Sequence, residues 1–74
     1  MGRLAATISI GDELLAGETL DSNARLLARR LGNVGWRVVR HRVVGDDQSE
    51  IAAQIRDAAS AVELVLITGG LGPT

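Results

Sequence analysis

Two glycines, Gly69 and Gly70, follow a run of four apolar residues, 64–67, with only Thr68 between. An apolar run of this length is typical of a parallel strand that is buried on both faces. Glycines at the carboxyl end of such a strand let the backbone approach a ligand with its N–H groups free, and those donors suit an anion. A plain glycine turn out of a strand explains the pair equally well at this point.

Carboxylates follow a second apolar stretch, residues 36–44, in which β-branched side chains are frequent. Asp46 and Asp47 come directly after Gly45. Asp47 with Glu50 three residues later resembles a capping box at the start of a helix, and Asp46 has the same simple interpretation. A catalytic role for either carboxylate needs support beyond this pattern.

Polar residues also precede the first predicted helix. Asp21, Ser22 and Asn23 are three successive residues that favour the N-cap position, and a helix N-terminus can bind an anion as well as be capped. Glu13 lies earlier, in a predicted loop or short turn over residues 11–20, where a carboxylate is either a ligand contact or simply solvated. His41, the single histidine, is interpreted as structural.

The elements that position these residues alternate along the chain. Strands are predicted over residues 4–10, 36–44 and 64–67, and a helix is predicted in each of the two intervals. The first helix has apolar residues at 24, 27, 28 and 31 and a C′ glycine at Gly35; the second has its apolar face at 51, 52, 55, 58, 59 and 62. Arginines at 37, 40 and 42 suit an edge strand, so the β-α-β-α-β chain is expected to form a parallel sheet of order 2-1-3. The ligand crevice of such a sheet lies at the carboxyl ends of strands 1 and 3.

Composition excludes several classes of function. Of 74 residues, 46% are hydrophobic and 23% charged, as in globular domains, and the net charge of −1 argues against nucleic acid or membrane partners. The chain has no cysteine and its eight basic residues are all arginine, which excludes thiolate and P-loop lysine chemistry from it. No leader or transmembrane run is evident, so a cytoplasmic location is expected.

Three blocks resemble the molybdopterin-binding family, in particular its branch of competence/damage-inducible proteins A: GDELLAGETLDSN (11–23), VVGDD (43–47) and TGGLGPT (68–74). The first two also resemble the molybdenum insertases. The third, with Leu-Gly-Pro-Thr, points to the competence branch. The resemblance implies a three-layer α/β/α sandwich, of which residues 1–74 form the N-terminal part. Because the third strand is apolar on both faces, we expect further sequence or a partner chain to pack against it.

The resemblance also implies a function. Members hydrolyse the pyrophosphate of ADP-ribose-like dinucleotides with Mg²⁺ or Mn²⁺, adenylylate molybdopterin, or bind a pterin or nucleotide phosphate without catalysis, and a homo-oligomer is expected. Asp46 matches the acidic position of the family, as catalytic residue and metal ligand. The predicted ligand-binding residues are Gly11, Asp12, Glu13, Asp21, Ser22, Asn23, Thr68, Gly69, Gly70, Gly72 and Thr74.

Overall fold

A computed structural model describes residues 3–18 and 20–69, so the predicted ligand-binding residues Gly70, Gly72 and Thr74 lie outside the described residues. The elements in chain order are β1 (Leu4–Ile10), α1 (Asp12–Leu15), α2 (Ser22–Asn33), β2 (Arg37–Val44), α3 (Gln48–Ala59) and β3 (Leu64–Gly69). None of the helices in these ranges has the length and apolar character needed to cross a membrane.

The three described strands form a parallel sheet in the order β2-β1-β3, which confirms the predicted order 2-1-3. β1 is the central strand, and its residues 5–10 are all buried. Successive side chains of a strand point to opposite faces, so each face of β1 carries its own set of residues. The two long helices cover these two faces, which confirms the predicted layering of helix, sheet and helix.

The hydrophobic core lies between the sheet and α3. Ala6, Ile8 and Ile10 of β1 are buried there with Val44 and Ala58. Partly buried apolar residues of α3, β3 and the turn between them pack against this cluster: Ile51, Ile55, Val62 and Val65. The predicted apolar face is thus largely confirmed, since four of its six residues belong to or pack against this cluster. It is wrong at its end, because Ala59 is exposed and Val62 follows the end of α3.

The opposite face of β1 carries Ala5, Thr7 and Ser9, and α2 packs on this side of β1 and β2. Thr7 and Ser9 are the buried polar residues of the described chain, at 2% and 1% exposure. Buried hydroxyl groups need hydrogen-bond partners, so this half of the interior has specific polar contacts, whereas the cluster of buried residues on the α3 side is apolar.

Both long helices begin as the sequence predicts. The Asp21 side chain caps α2 by accepting from Ala24 N–H at 3.4 Å, and Asp47 caps α3 by accepting from Ser49 N–H at 3.1 Å. Gly35, with a φ of 93°, follows α2 in the left-handed conformation expected of a C′ glycine. The predicted capping box is wrong in one respect, because Glu50 accepts from the Gln54 side chain within α3 at 3.4 Å.

Two predicted strand boundaries differ from the structure. β3 does not end at Ile67 but continues through Thr68 and Gly69, because both residues pair in register with the end of β1. The predicted loop or short turn over residues 11–20 contains the single helical turn α1, in which Leu15 N–H donates to the Gly11 carbonyl at 3.0 Å. β2 begins at Arg37, one residue after the predicted start.

β2 contains an irregularity that the sequence analysis did not predict. Ala5 pairs with Val38 whereas Ala6 pairs with Arg40, so Val39 is an extra residue in the edge strand. Such a bulge changes the faces to which the following side chains point. It puts His41 opposite Thr7, on the α2 side of the sheet.

β3 lies at the other edge of the described sheet. Ile67 pairs with Ile8, and its side chain is 44% exposed. The packing of further sequence or of a partner chain against this strand stays a prediction.

Candidate functional site

A crevice of about 320 Å³ lies at the carboxyl ends of β1 and β3. This is the position predicted from the strand order, since the chain winds away from β1 in opposite directions to reach β2 and β3. The structure brings six of the predicted ligand-binding residues together in its wall: Glu13, Asp21, Ser22, Asn23, Thr68 and Gly69. Ile10, Leu14 and Leu20 add an apolar lining that the sequence analysis did not include.

The backbone geometry at the end of β3 requires a glycine at position 69. Its φ of 82° lies in the left-handed region, and a Cβ at this position would overlap the carbonyl oxygen of Ile10. A side chain would therefore force β3 away from β1. Glycine lets the two strands stay paired up to the edge of the crevice.

The crevice also contains the start of α2. Each α-helix leaves its first N–H groups without partners inside the helix, and its dipole places partial positive charge there. Among the described residues, Asp21 satisfies the N–H of Ala24, and Ser22 and Asn23, the first two residues of α2, line the crevice. This wall is therefore suited to phosphate or carboxylate oxygens.

Asp21 has a second contact that links α2 to the sheet. Its Oδ2 lies 2.9 Å from His41 Nε2, and His41 Nδ1 lies 2.7 Å from Thr7 Oγ1. A row of three polar side chains thus joins β1, β2 and the N-cap of α2. Sequence reasoning missed this row because the bulge at Val39, which turns His41 toward Thr7, has no clear sequence signal.

A pair of hydroxyl groups connects the crevice wall to the central strand. Thr68 Oγ1 donates to Ser9 Oγ at 3.4 Å, between the neighbouring strands β3 and β1. Ser9 is almost fully buried, whereas Thr68 is half-buried and lines the crevice. The contact fixes the Thr68 side chain, which is one of the polar groups that a ligand in the crevice would contact.

Asp46 and Asp12 are joined to each other outside the described crevice lining. The Asp46 N–H donates to Asp12 Oδ1 at 2.9 Å, and the side chain of Asp46 is exposed. A Cβ on Gly45 would lie 2.7 Å from the same oxygen, so the turn after β2 packs closely on α1. Gly11, also predicted as a ligand contact, donates its N–H to the Val44 carbonyl at 2.9 Å and thus joins β1 to the end of β2.

Within residues 3–18 and 20–69, no group of three or more His, Asp or Glu side chains is placed to hold one metal ion. The chain has no cysteine to add. The divalent metal expected from the sequence therefore stays a prediction, with Asp46 as its predicted ligand.

Comparison with known proteins agrees with this architecture. The family model described as a probable molybdopterin binding domain matches residues 6–74. The chain belongs to this family. The resemblance found in the sequence blocks is confirmed over nearly the whole chain.

Individual members of the molybdopterin-binding family give the same result. CinA-like proteins of Geobacter sulfurreducens and Chlorobium luteolum are 55% and 49% identical over 69 and 70 residues, which is 93% and 95% of this chain. The crystal structure of CinA from Thermoplasma acidophilum superposes with a TM-score of 0.93 at 40% identity and covers 99% of the chain. The chain spans only 17% and 16% of the two curated relatives and 43% of the crystallised protein.

Proposed function

We propose that the crevice binds the phosphate groups of a nucleotide or pterin phosphate, and that the protein hydrolyses the pyrophosphate of ADP-ribose-like dinucleotides with a divalent metal. The observation that carries the proposal is the meeting of the α2 N-terminus with the glycine-ended strand β3 in one crevice. Backbone N–H groups and a strand end without a Cβ are features that recur where proteins bind phosphate.

The negative charge of the residues that line the crevice favours binding of a metal ion with the phosphates. Two carboxylates, Glu13 and Asp21, lie in the same wall as the N–H groups of α2. Like charges repel at short range, so a diphosphate beside these carboxylates is favoured when a cation shares the site. A hard divalent ion with oxygen ligands meets this requirement.

The described residues do not form a complete metal centre, and Mg²⁺ does not require one from the protein. In phosphate sites Mg²⁺ takes one or two carboxylates and completes its shell with water and substrate phosphates. Asp46, whose side chain is exposed, is our proposed protein ligand. The bound ion would neutralise phosphate charge and favour attack by water.

In the proposed reaction, water attacks one phosphorus of ADP-ribose, the bridging P–O bond breaks, and AMP and ribose 5-phosphate leave. The residues of this chain bind and orient the phosphate groups of the substrate. The N–H groups of Ser22 and Asn23 hold phosphate oxygens, and Thr68 contributes a hydroxyl that is fixed by Ser9. Fixed donors of this kind contribute to catalysis when their contacts strengthen as charge develops.

A second candidate is binding of molybdopterin without hydrolysis. The family description names molybdopterin, and Ile10, Leu14 and Leu20 give the crevice an apolar side against which a flat ring can pack. Small-molecule sites commonly combine such a lining with a few polar groups. On this alternative the same N–H groups bind the terminal phosphate of the pterin.

Turnover distinguishes the two candidates. The protein is incubated with ADP-ribose and Mg²⁺ or Mn²⁺, with a matched sample in excess chelator, and AMP is measured by chromatography. Metal-dependent release of AMP and ribose 5-phosphate supports the hydrolase. If ADP-ribose is not cleaved with either metal, the hydrolase proposal is wrong, and saturable binding of molybdopterin in a calorimeter then supports the second candidate.

A further inference from the structure

We propose that His41 is a positioning residue for the crevice: it holds the N-terminus of α2, through Asp21, in the geometry that binds the ligand phosphate. The inference rests on the proposed function for the identity of the ligand. It assigns a role to a side chain that does not itself line the crevice.

The hydrogen bonds of His41 determine which group donates and which accepts along the row formed by Thr7, His41 and Asp21. An ionised carboxylate can only accept, so the bond of 2.9 Å to Asp21 requires the proton on Nε2. In the neutral imidazole, Nδ1 then accepts from the Thr7 hydroxyl at 2.7 Å. Thr7 is 2% exposed in the central strand, so the row starts at a fixed point of the sheet.

The other end of the row is the N-cap itself. Asp21 uses Oδ1 for the Ala24 N–H and Oδ2 for His41, so its carboxylate is held from both sides. The chain leading to this residue is exposed at 15–18 and again at Leu20. The contact with His41 therefore anchors the beginning of α2 to β1 and β2, beside the N–H groups that line the crevice.

A second strand-to-helix contact provides a matched comparison. Arg40, next to His41 in the chain, pairs with Asp57 of α3 at 3.0 Å on the opposite face of the sheet. This pair also links β2 to a helix, yet it lies far along α3 from the helix start. Its loss should leave the crevice unchanged.

The test uses four variants: His41→Leu removes both bonds, His41→Gln keeps a donor for Asp21, Thr7→Val removes the support from β1, and Asp57→Asn is the control. Binding of a methylene-bridged ADP-ribose analogue, which cannot be hydrolysed, is measured with Mg²⁺ by calorimetry. Hydrogen exchange of the Ala24 amide and the chemical shifts of Ser22 and Asn23 are measured without ligand, with thermal unfolding as a control of the fold.

We expect His41→Leu to weaken binding about tenfold and to speed exchange of the Ala24 amide about fivefold, an effect of the order of losing a cap. His41→Gln should recover most of the affinity, and the affinity of Thr7→Val should lie between those of His41→Leu and the wild type. The affinity of Asp57→Asn should stay within about twofold of the wild type. A purely structural role would instead weaken binding in proportion to lost thermal stability, with no recovery by glutamine.

Unchanged exchange at Ala24 in His41→Leu overturns the inference, and so does unchanged affinity in a variant whose helix start has loosened. If the wild type does not bind the analogue, the proposed function fails for that ligand. The exchange and chemical-shift measurements then decide alone whether His41 orders the start of α2.

Discussion

Asp12 and Asp46, 34 residues apart in the chain, are joined by a hydrogen bond of 2.9 Å from the Asp46 N–H to Asp12 Oδ1. Asp12 begins the single turn that follows β1, and Asp46 belongs to the turn that follows β2. The bond therefore connects the carboxyl ends of two neighbouring strands. It leaves the Asp46 side chain exposed while its backbone is held in place.

Replacement of Asp46 by Asn should lower metal-dependent cleavage of ADP-ribose at least about a hundredfold, the lower range for loss of a positioned acid, base or comparable group. The fold should be retained, because the backbone N–H that contacts Asp12 is unchanged. The measurement is the rate of AMP release with Mg²⁺ or Mn²⁺, with circular dichroism as the folding control.

Asp47→Asn is the matched control for Asp46→Asn. Asp47 caps α3 through Ser49, and Asn caps a helix about as well as Asp, so its rate should stay close to that of the wild type. Equal rates in Asp46→Asn and the wild type would remove Asp46 from the mechanism. A loss confined to Asp47→Asn would show that its neighbour is the functional carboxylate.

Asp12 can be tested through stability. Asp12→Ala should lower the free energy of unfolding by about 1 kcal/mol, the usual contribution of one hydrogen bond, because the Asp46 N–H loses its acceptor. Asp12→Asn keeps a side-chain oxygen and should lose less than half of that. Denaturant titrations measure both values, and equal losses in the two variants would contradict the role given to this bond.

Gly69→Ala should destabilise the protein by about 1–3 kcal/mol, because the added Cβ meets the Ile10 carbonyl in a left-handed conformation that alanine disfavours. Gly32→Ala is the control: no atom of the described residues outside its own helix turn lies within 4 Å of the added Cβ. Because Gly32 is part of α2, alanine should stabilise by about 0.5–1 kcal/mol. Thermal unfolding measures whether each substitution lowers or raises the stability. A neutral Gly69→Ala would contradict the close approach of β3 to β1.

The sequence could predict the order of elements because each helix and strand carries its own local signal. The spacing of apolar residues marks α2 and α3, and Asp21 and Asp47 mark their first turns. The end of β3 could not be predicted in this way. Thr68 and Gly69 belong to the strand because they pair with Ser9 and Ile10, a contact between distant parts of the chain.

The sequence could predict the position of the site but only some of the residues that line it. Strand order places the crevice at the ends of β1 and β3, which led to Thr68, Gly69 and the start of α2. The apolar wall and the contact of His41 with Asp21 were missed, because both depend on packing and on the extra residue Val39 in β2. Asp46 was assigned from the family pattern, and the described crevice lining does not include it.

The pair formed by Arg40 and Asp57 should contribute little to stability, although its distance is 3.0 Å. The two side chains are 31% and 61% exposed, so solvent screens their attraction. A double-mutant cycle with Arg40→Gln and Asp57→Asn should give a coupling free energy below about 1 kcal/mol that falls as salt is added. A coupling of 2 kcal/mol or more would contradict this assignment.

Mapping of ligand-induced amide shifts by two-dimensional NMR tests the phosphate crevice most directly. The protein, labelled with ¹⁵N, is titrated with a methylene-bridged ADP-ribose analogue that cannot be hydrolysed, in the presence of Mg²⁺, and AMP and inorganic phosphate are compared. We predict saturable shifts centred on Ser22, Asn23, Thr68 and Gly69, the polar backbone of the crevice wall. Saturable shifts elsewhere in the chain, with these four amides unmoved, would contradict the site.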